Sequence, residues 1–220
     1  MSVPLWTLRA GIVGAGLAGW YATQAWIERR GFPEGGIGDR VHDWTAPLHR
    51  FFRENPRWAN ALLVATSAVI DLLGLFLLVR SILGPSLRPF LGLAILFAMR
   101  QACQGICRLP APDGMIWRRP GFPSLLVTYG TTSDLFFSGH TAIAVYGGLE
   151  LARAGGPPAA VLAAAIVLVE ATAVLVLRAH YTMDVFAGAL AALSAYAAAA
   201  FLAPGADAWL ARIAGAGSSV

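Results

Sequence analysis

The chain has 220 residues, 57% of them hydrophobic and 13% charged, with a mean hydropathy of +0.64 and a formal net charge of +4. A water-soluble domain carries about 25% charged residues, so a soluble globular fold is excluded. The apolar runs are continuous rather than alternating, which excludes a membrane β-barrel and leaves an all-α, polytopic membrane bundle of one domain, residues 1–220.

The first predicted span runs over 10–27, where GAGLAG suits close helix packing. Arg9 precedes it, but no small-residue cleavage site stands before Glu28-Arg29-Arg30, so it reads as a retained span rather than a signal peptide. A polar segment, 28–57, follows. Its second half reads as an interfacial helix, anchored by Trp44, Phe51, Phe52 and Trp58, with His42 and His49 expected to be solvated. The second span covers 58–79 and the third 89–106, separated by a link with Gly84 and Pro85. Cys103 and Cys107, four residues apart at the end of the third span, read as small packing residues, not as a disulfide.

Residues 108–133 hold Pro110, Pro112, Pro120 and Pro123, so they form a loop over the site rather than a helix. The fourth span covers 135–151, the fifth 159–177 beyond the turn Gly155-Gly156-Pro157-Pro158, and the sixth 181–202. No internal repeat is present. With six spans, the loops after spans one, three and five share one membrane face. The Pro-rich loop, His140 and His180 then meet on that face, with His140 about 9 Å below the start of its helix at about 1.5 Å per residue.

Every basic residue is an arginine. The bias has two readings: planar forks for phosphate oxygens, or genome composition. No basic cluster is interleaved with aromatics, so no nucleic-acid partner is expected.

Two stretches carry chemistry. In DLFFSGHT, residues 134–141, Ser138, Gly139 and His140 stand in the first turns of a helix. Free backbone N–H groups and the helix dipole favour an anion there, and Gly139 lets a phosphate come close. The plainer reading is an N-cap by Asp134 or Ser138 with a packing histidine. In RAHYTMDV, residues 178–185, Arg178 is a candidate phosphate clamp and His180 a candidate nucleophile. Asp184, one helical turn after His180, can accept from one ring nitrogen and stabilise an imidazolium. The plainer reading is a structural pair at a helix mouth.

These motifs resemble the type-2 phosphatidic acid phosphatase superfamily, and more closely its sphingomyelin synthase-like branch. That family carries Ser-Gly-His-Thr preceded by an aspartate, and later His-Tyr-Thr-x-Asp-Val; MRQACQGICRLPAP is similar to the branch's arginine-containing third span and Leu-Pro-x-Pro loop. The resemblance covers the second to sixth spans. It implies a PAP2-like core of six transmembrane helices, with His180 as nucleophile, Asp184 as its partner and His140 as general acid. The chain departs from the wider family's lysine-and-Arg-Pro motif, having only Arg118-Arg119-Pro120, and Arg178 stands merely near the place of its second arginine motif.

Asp71, Arg100, Glu150 and Glu170 fall inside predicted spans, where a charge is a functional candidate by default. The resemblance places Asp71 with an acidic residue of the synthase branch, so Asp71 and Arg100 join Ser138, Gly139, Arg178 and Asp134 as substrate-binding candidates. The rival is a buried Asp71–Arg100 pair. Glu170 reads as structural or part of a polar path, and Glu150 as ending its helix.

The chemistry expected is transfer of a phospho-head group from a phospholipid donor to a lipid alcohol, ceramide or diacylglycerol, through a phosphohistidine. With water as acceptor the same site is a lipid phosphatase or phospholipase C-like hydrolase. No cofactor or metal is expected, although His140, His180 and Asp184 are competent metal ligands. A transporter using Asp71, Arg100 and Glu170 would leave both histidine motifs unexplained. The resemblance places the active site on the exoplasmic face; the arginine-rich segments 28–57 and 108–133 on that same face point the other way by the positive-inside rule.

Overall fold

The computed structural model describes residues 4–29, 37–121, 124, 126–127, 129 and 135–216. Among the described residues the regular elements are seven helices: α1 (Leu5–Glu28), α2 (Arg40–Trp44), α3 (Ala46–Glu54), α4 (Pro56–Leu83), α5 (Arg88–Ile106), α6 (Gly139–Val176) and α7 (Thr182–Ala216). Proline and glycine set several boundaries. Pro56 sits in the first turn of α4, where its missing N–H costs nothing, and Gly84 and Pro85 end it. Pro89 opens α5, and Pro110 lies shortly beyond its last residue.

Four helices, α4, α5, α6 and α7, are long and apolar enough to cross a bilayer. The six-span expectation is not confirmed, for two physical reasons. The 24-residue α1 has the length, but Gly11, Gly14, Gly16, Gly19, Thr23 and Gln24 dilute its apolar content. The spans predicted at 135–151 and 159–177 fall within one 38-residue element, α6.

That element is not a rod. Gly156 has φ 67 and ψ −154, and Pro157 and Pro158 follow it. A Cβ on Gly148 would lie 3.2 Å from the Cβ of Ala163, positions that a straight helix would hold about 22 Å apart at about 1.5 Å per residue. The chain folds back at Gly156 into two packed arms, 139–155 and 157–176.

α7 packs against α5 and α6, and α4 against α6. The core joins Leu73 and Leu77 of α4, Leu93 and Leu96 of α5, Tyr146 of α6 and Ala191, Ala192 and Ala195 of α7. In lipid, burial of apolar surface does not drive helices together; close van der Waals fit does, and the alanine face of α7 permits it. Tyr146 is fully buried and donates to the carbonyls of Arg88 or Pro89, both at 3.1 Å. Glu150 does not end its helix. It is buried one turn further on and pairs with Arg88 at 3.2 Å and Arg153 at 3.1 Å. α7 outruns its predicted end at 202, continues through Pro204, and brings Asp207 to the backbone N–H of Leu87 at 2.8 Å and to Arg9 at 3.5 Å.

The polar segment forms α2 and α3. Trp44, Phe51 and Trp58 are exposed as interface anchors, while Phe52 packs inward. His42 and His49 are buried, contrary to the expectation of solvation. Arg40, Arg50 and Arg53 lie on these same two helices, which pack against the end of α6 that carries His180's approach. This arrangement lends the exoplasmic placement no support.

α7 comes close to the backbone at the start of α6: a Cβ on Gly188 would lie 2.7 Å from the carbonyl oxygen of Ser138. Gly188→Ala should therefore push the two helices apart and destabilise the protein by about 1–3 kcal/mol, the usual range for overpacking. Gly14→Ala, with nothing within 4 Å of the new methyl, should match or slightly exceed the parent. Thermal unfolding of both variants in one detergent checks the contrast.

Candidate active site

α6 begins at Gly139, so His140 is its second residue rather than six residues into a span. Ser138 is the N-cap. Its Oγ accepts from the Thr141 N–H at 3.3 Å and lies 3.1 Å from the Thr141 hydroxyl, while its own N–H donates to the Asp184 carbonyl at 3.1 Å. Both the N-cap reading and the open helix mouth beside Gly139 thus describe the same turn.

The second arm of α6 ends in a Schellman turn. The N–H of Ala179 donates to Val174 O at 2.8 Å and that of Arg178 to Leu175 O at 3.0 Å. Arg178 holds the left-handed position, φ 52, where glycine is usual and another residue costs about 1 kcal/mol. The turn reverses the chain so that His180 follows directly. Two further end groups are taken by histidines: His49 Nδ1 bonds Val176 O and His42 Nε2 bonds His180 O, each at 2.9 Å.

α7 then starts under two carboxylates. Asp184 Oδ2 accepts from the Tyr181 N–H at 2.9 Å, the return half of a capping box. Asp39 accepts from the Thr182 N–H at 2.6 Å and the Thr182 hydroxyl at 2.8 Å, and also caps α2 through the Val41 N–H at 2.9 Å. Asp184 is fully buried, and the same Oδ2 lies 3.7 Å from Nδ1 of His180. That is ion-pair range, longer than a hydrogen bond. Of the two ring nitrogens, Nδ1 is the one paired with the carboxylate.

His140 and His180, both buried, line one small cavity with Gly139, Arg100 and Trp117. Trp117 meets His140 edge to face, ring centres 5.0 Å apart. Arg100 donates to Phe137 O at 3.1 Å, and its Nε would lie 3.2 Å from a Cβ on Gly139. A guanidinium therefore packs directly on the helix start, two sources of positive potential at one point. The remaining walls are apolar, including Ile70, Phe97 and Ile143.

Not every candidate comes to this cavity. Arg178 turns away and donates to Asp113 O at 2.7 Å, tying down the Pro-rich loop; of the two candidate arginines, Arg100 is the one beside the helix start. Asp71 accepts from the Leu126 N–H at 2.8 Å, so it holds the loop that walls the cavity. Asp134 lies outside the described residues. Glu170 is fully buried and neither of its carboxylate oxygens has a partner. Among the described residues no three His, Cys, Asp or Glu side chains are grouped so as to hold a metal ion.

Asp39, His42, His49 and Trp117 were not read as site residues. A signal for the histidines existed: a seven-residue spacing sets them on one helical face. Asp39 had the form of an N-cap before Arg40. Neither pattern reveals that the groups capped include another helix's backbone.

A family model described as AtPDCT1/2 matches residues 39–201, from the Asp39 cap into α7. No curated protein and no solved structure matches the chain. The finding overturns the resemblance to the type-2 phosphatidic acid phosphatase superfamily and its sphingomyelin synthase-like branch. Short motifs such as SGHT and HYTMDV report the chemistry of two helix mouths, and site chemistry alone does not fix a family.

The caps carry a pH dependence. Burial holds the His49 pKa below its ordinary value of 6.5, Arg178, Arg53 and His42 push the same way, and the Val176 carbonyl opposes them. Below about pH 6.5 the unfolded ring takes a proton that the folded ring refuses. The stability held above that pH is therefore lost as the pH falls toward the lower folded pKa. Asp39 acts in a more acidic window. Burial alone would raise its pKa, but hydrogen bonds from Thr182 and Val41 outweigh burial and lower it, so its contribution is lost only well below pH 5. The drop in Tm between pH 7.5 and 5.5 should shrink in His49→Gln and persist in Asp39→Asn, read by thermal unfolding in detergent at both pH values.

Proposed function

The chain belongs to the AtPDCT1/2 family, and on that premise we propose that it is a membrane-embedded transferase that moves phosphocholine from phosphatidylcholine to diacylglycerol. The observation that carries the reading is the shared cavity of His140 and His180, with Arg100 packed on the helix start at Gly139. A phosphodiester seated there meets a nucleophile, a proton donor and positive potential together.

In the first half-reaction, Nε2 of His180 attacks phosphorus and the bond to the glycerol oxygen breaks. His140, carrying a proton, gives it to the departing diacylglycerol. Asp184 balances the positive imidazole and fixes which nitrogen reacts. In the second half-reaction a new diacylglycerol hydroxyl gives its proton to His140 and attacks phosphorus, and the nitrogen–phosphorus bond breaks. Phosphatidylcholine is re-formed on a different glycerol backbone, with no net proton change. Ser138 and Gly139 supply the helix mouth for the phosphate, and Arg100 its counter-charge. Asp71 and Arg178 position the loop rather than the phosphate. The apolar walls favour a lipid alcohol over water as acceptor, hence transfer over hydrolysis.

Purified protein in mixed micelles, with head-group-labelled phosphatidylcholine and acyl-labelled diacylglycerol, tests the reading. Doubly labelled product is expected; free phosphocholine without it would indicate a hydrolase. His180→Ala should abolish acid-labile phosphocholine-enzyme. Asp184→Asn should keep the cap, since an amide oxygen still accepts from Tyr181, yet lose turnover by about a hundredfold or more, by the logic of the serine protease triad where such a change costs about four orders of magnitude. His140→Ala should slow natural donors far more than a p-nitrophenyl ester, whose leaving group needs no proton. Parent-like turnover in Asp184→Asn, or labelled enzyme in His180→Ala, would show the roles to be misassigned.

A further inference from the structure

The interfacial helix α3 has three unlike sides. Leu48, Phe51 and Phe52 fall on one side and Arg50 and Arg53 on the opposite one, with His49 buried between them. Neighbouring helices orient the apolar side. Leu48 and Phe52 line one groove with Leu62 of α4 and Leu168 and Val169 of α6. Leu168 and Val169 are exposed on a helix long and apolar enough to cross a bilayer, so that groove lies against hydrocarbon. The opposite side of α3 then points out of the hydrocarbon, at the level of lipid head groups.

That outer side is basic. Residues 40–58 hold four arginines, Arg40, Arg50, Arg53 and Arg57, against two carboxylates, Asp43 and Glu54. All four arginines are exposed, and none forms an ion pair with a described residue. Trp44 and Trp58, 73% and 63% exposed, flank the helix as interface anchors.

We infer that this face binds anionic phospholipid of the surrounding leaflet, with lipid phosphates on Arg50, Arg53 and Arg57. A guanidinium fork fits a phosphate. The ammonium of phosphatidylcholine offsets much of its own phosphate's attraction, so the face prefers a lipid with no cationic head group. Binding there also reaches the candidate site. His49, one helical turn before Arg53, holds the Val176 carbonyl at 2.9 Å. Just beyond Val176 the Ala179 N–H donates to Val174 O at 2.8 Å, in the turn that delivers His180. Lipid that seats α3 among the head groups thus keeps His49 on that carbonyl and braces the turn, whatever reaction His180 serves.

Photolabelling in phosphatidylcholine nanodiscs locates the lipid. A trace of phosphatidylglycerol with a head-group diazirine should label residues 40–58 and be competed by unlabelled phosphatidylglycerol. A phosphatidylcholine probe with the same group should label that segment about fivefold less. Labelling by phosphatidylglycerol should fall about tenfold in Arg50→Gln/Arg53→Gln/Arg57→Gln, and also in the parent at about 1 M salt, where charges reach only about 3 Å. The salt measurement stands even if the triple variant fails to fold. Arg212→Gln, which alters an exposed arginine at the far end of α7, should keep the label. The brace is read by amide hydrogen exchange at Ala179 and His180. Replacing one fifth of the phosphatidylcholine by phosphatidylglycerol should slow it about threefold in the parent and leave it unchanged in the triple variant. Label elsewhere only, equal labelling by both probes, or parent-like labelling in the triple variant overturns the site. Unchanged exchange in fully labelled parent overturns the brace.

Discussion

A helix mouth inside a bilayer has no water to satisfy its backbone, and the segment from Val174 to Asp184 has both the end of one helix and the start of another. The molecule answers with side chains from four directions. His42 and His49 reach in from the interfacial helices, Asp39 from the segment before them, and Asp184 from α7 itself. An orphan N–H or C=O there would cost about as much as a lost hydrogen bond, on the order of 1–3 kcal/mol each. His180 stands at the middle of this web with its carbonyl held and its ring free to face the cavity. The groups that fold the turn are thus the groups that set where the His180 ring stands.

Asp184 shows why structural and chemical readings of such a residue need not compete. One oxygen of its carboxylate caps α7 and lies in ion-pair range of His180, and the other has no partner. Burying the group would be expensive if it served the cap alone, since a neutral acceptor could do that. What sets it apart from a plain cap is its place 3.7 Å from the His180 ring.

Helix positions were legible in the sequence because continuous apolar runs bounded by Pro and Gly leave few alternatives. His140, His180, Asp184 and Gly139 were legible because short-range spacing places them at helix mouths, and the structure gathers them. Of the two candidate arginines only Arg100 reaches the cavity, for a reason no spacing reveals: the left-handed turn at Arg178 swings its guanidinium toward Asp113, while the packing of α5 on the start of α6 brings Arg100 to Gly139. The burial of His42 and His49 was illegible for the same reason. A polar segment reads as solvated until the carbonyls it covers are known. The count of six spans stays unconfirmed where hydropathy and continuity part, at the glycine-rich α1 and at the fold-back of α6.

That fold-back makes the distance between the His140 and His180 rings a matter of arithmetic. Both hang from the ends of a hairpin pivoted at Gly156, so insertions of whole turns in both arms would only move the pair away from the bend. A single extra residue in one arm would instead turn that arm's histidine by about 100° around its axis. The hairpin is a two-legged gauge. Evolution can vary the depth of this site in the membrane in steps of whole turns, made in both legs at once, but can hardly vary it in any other way.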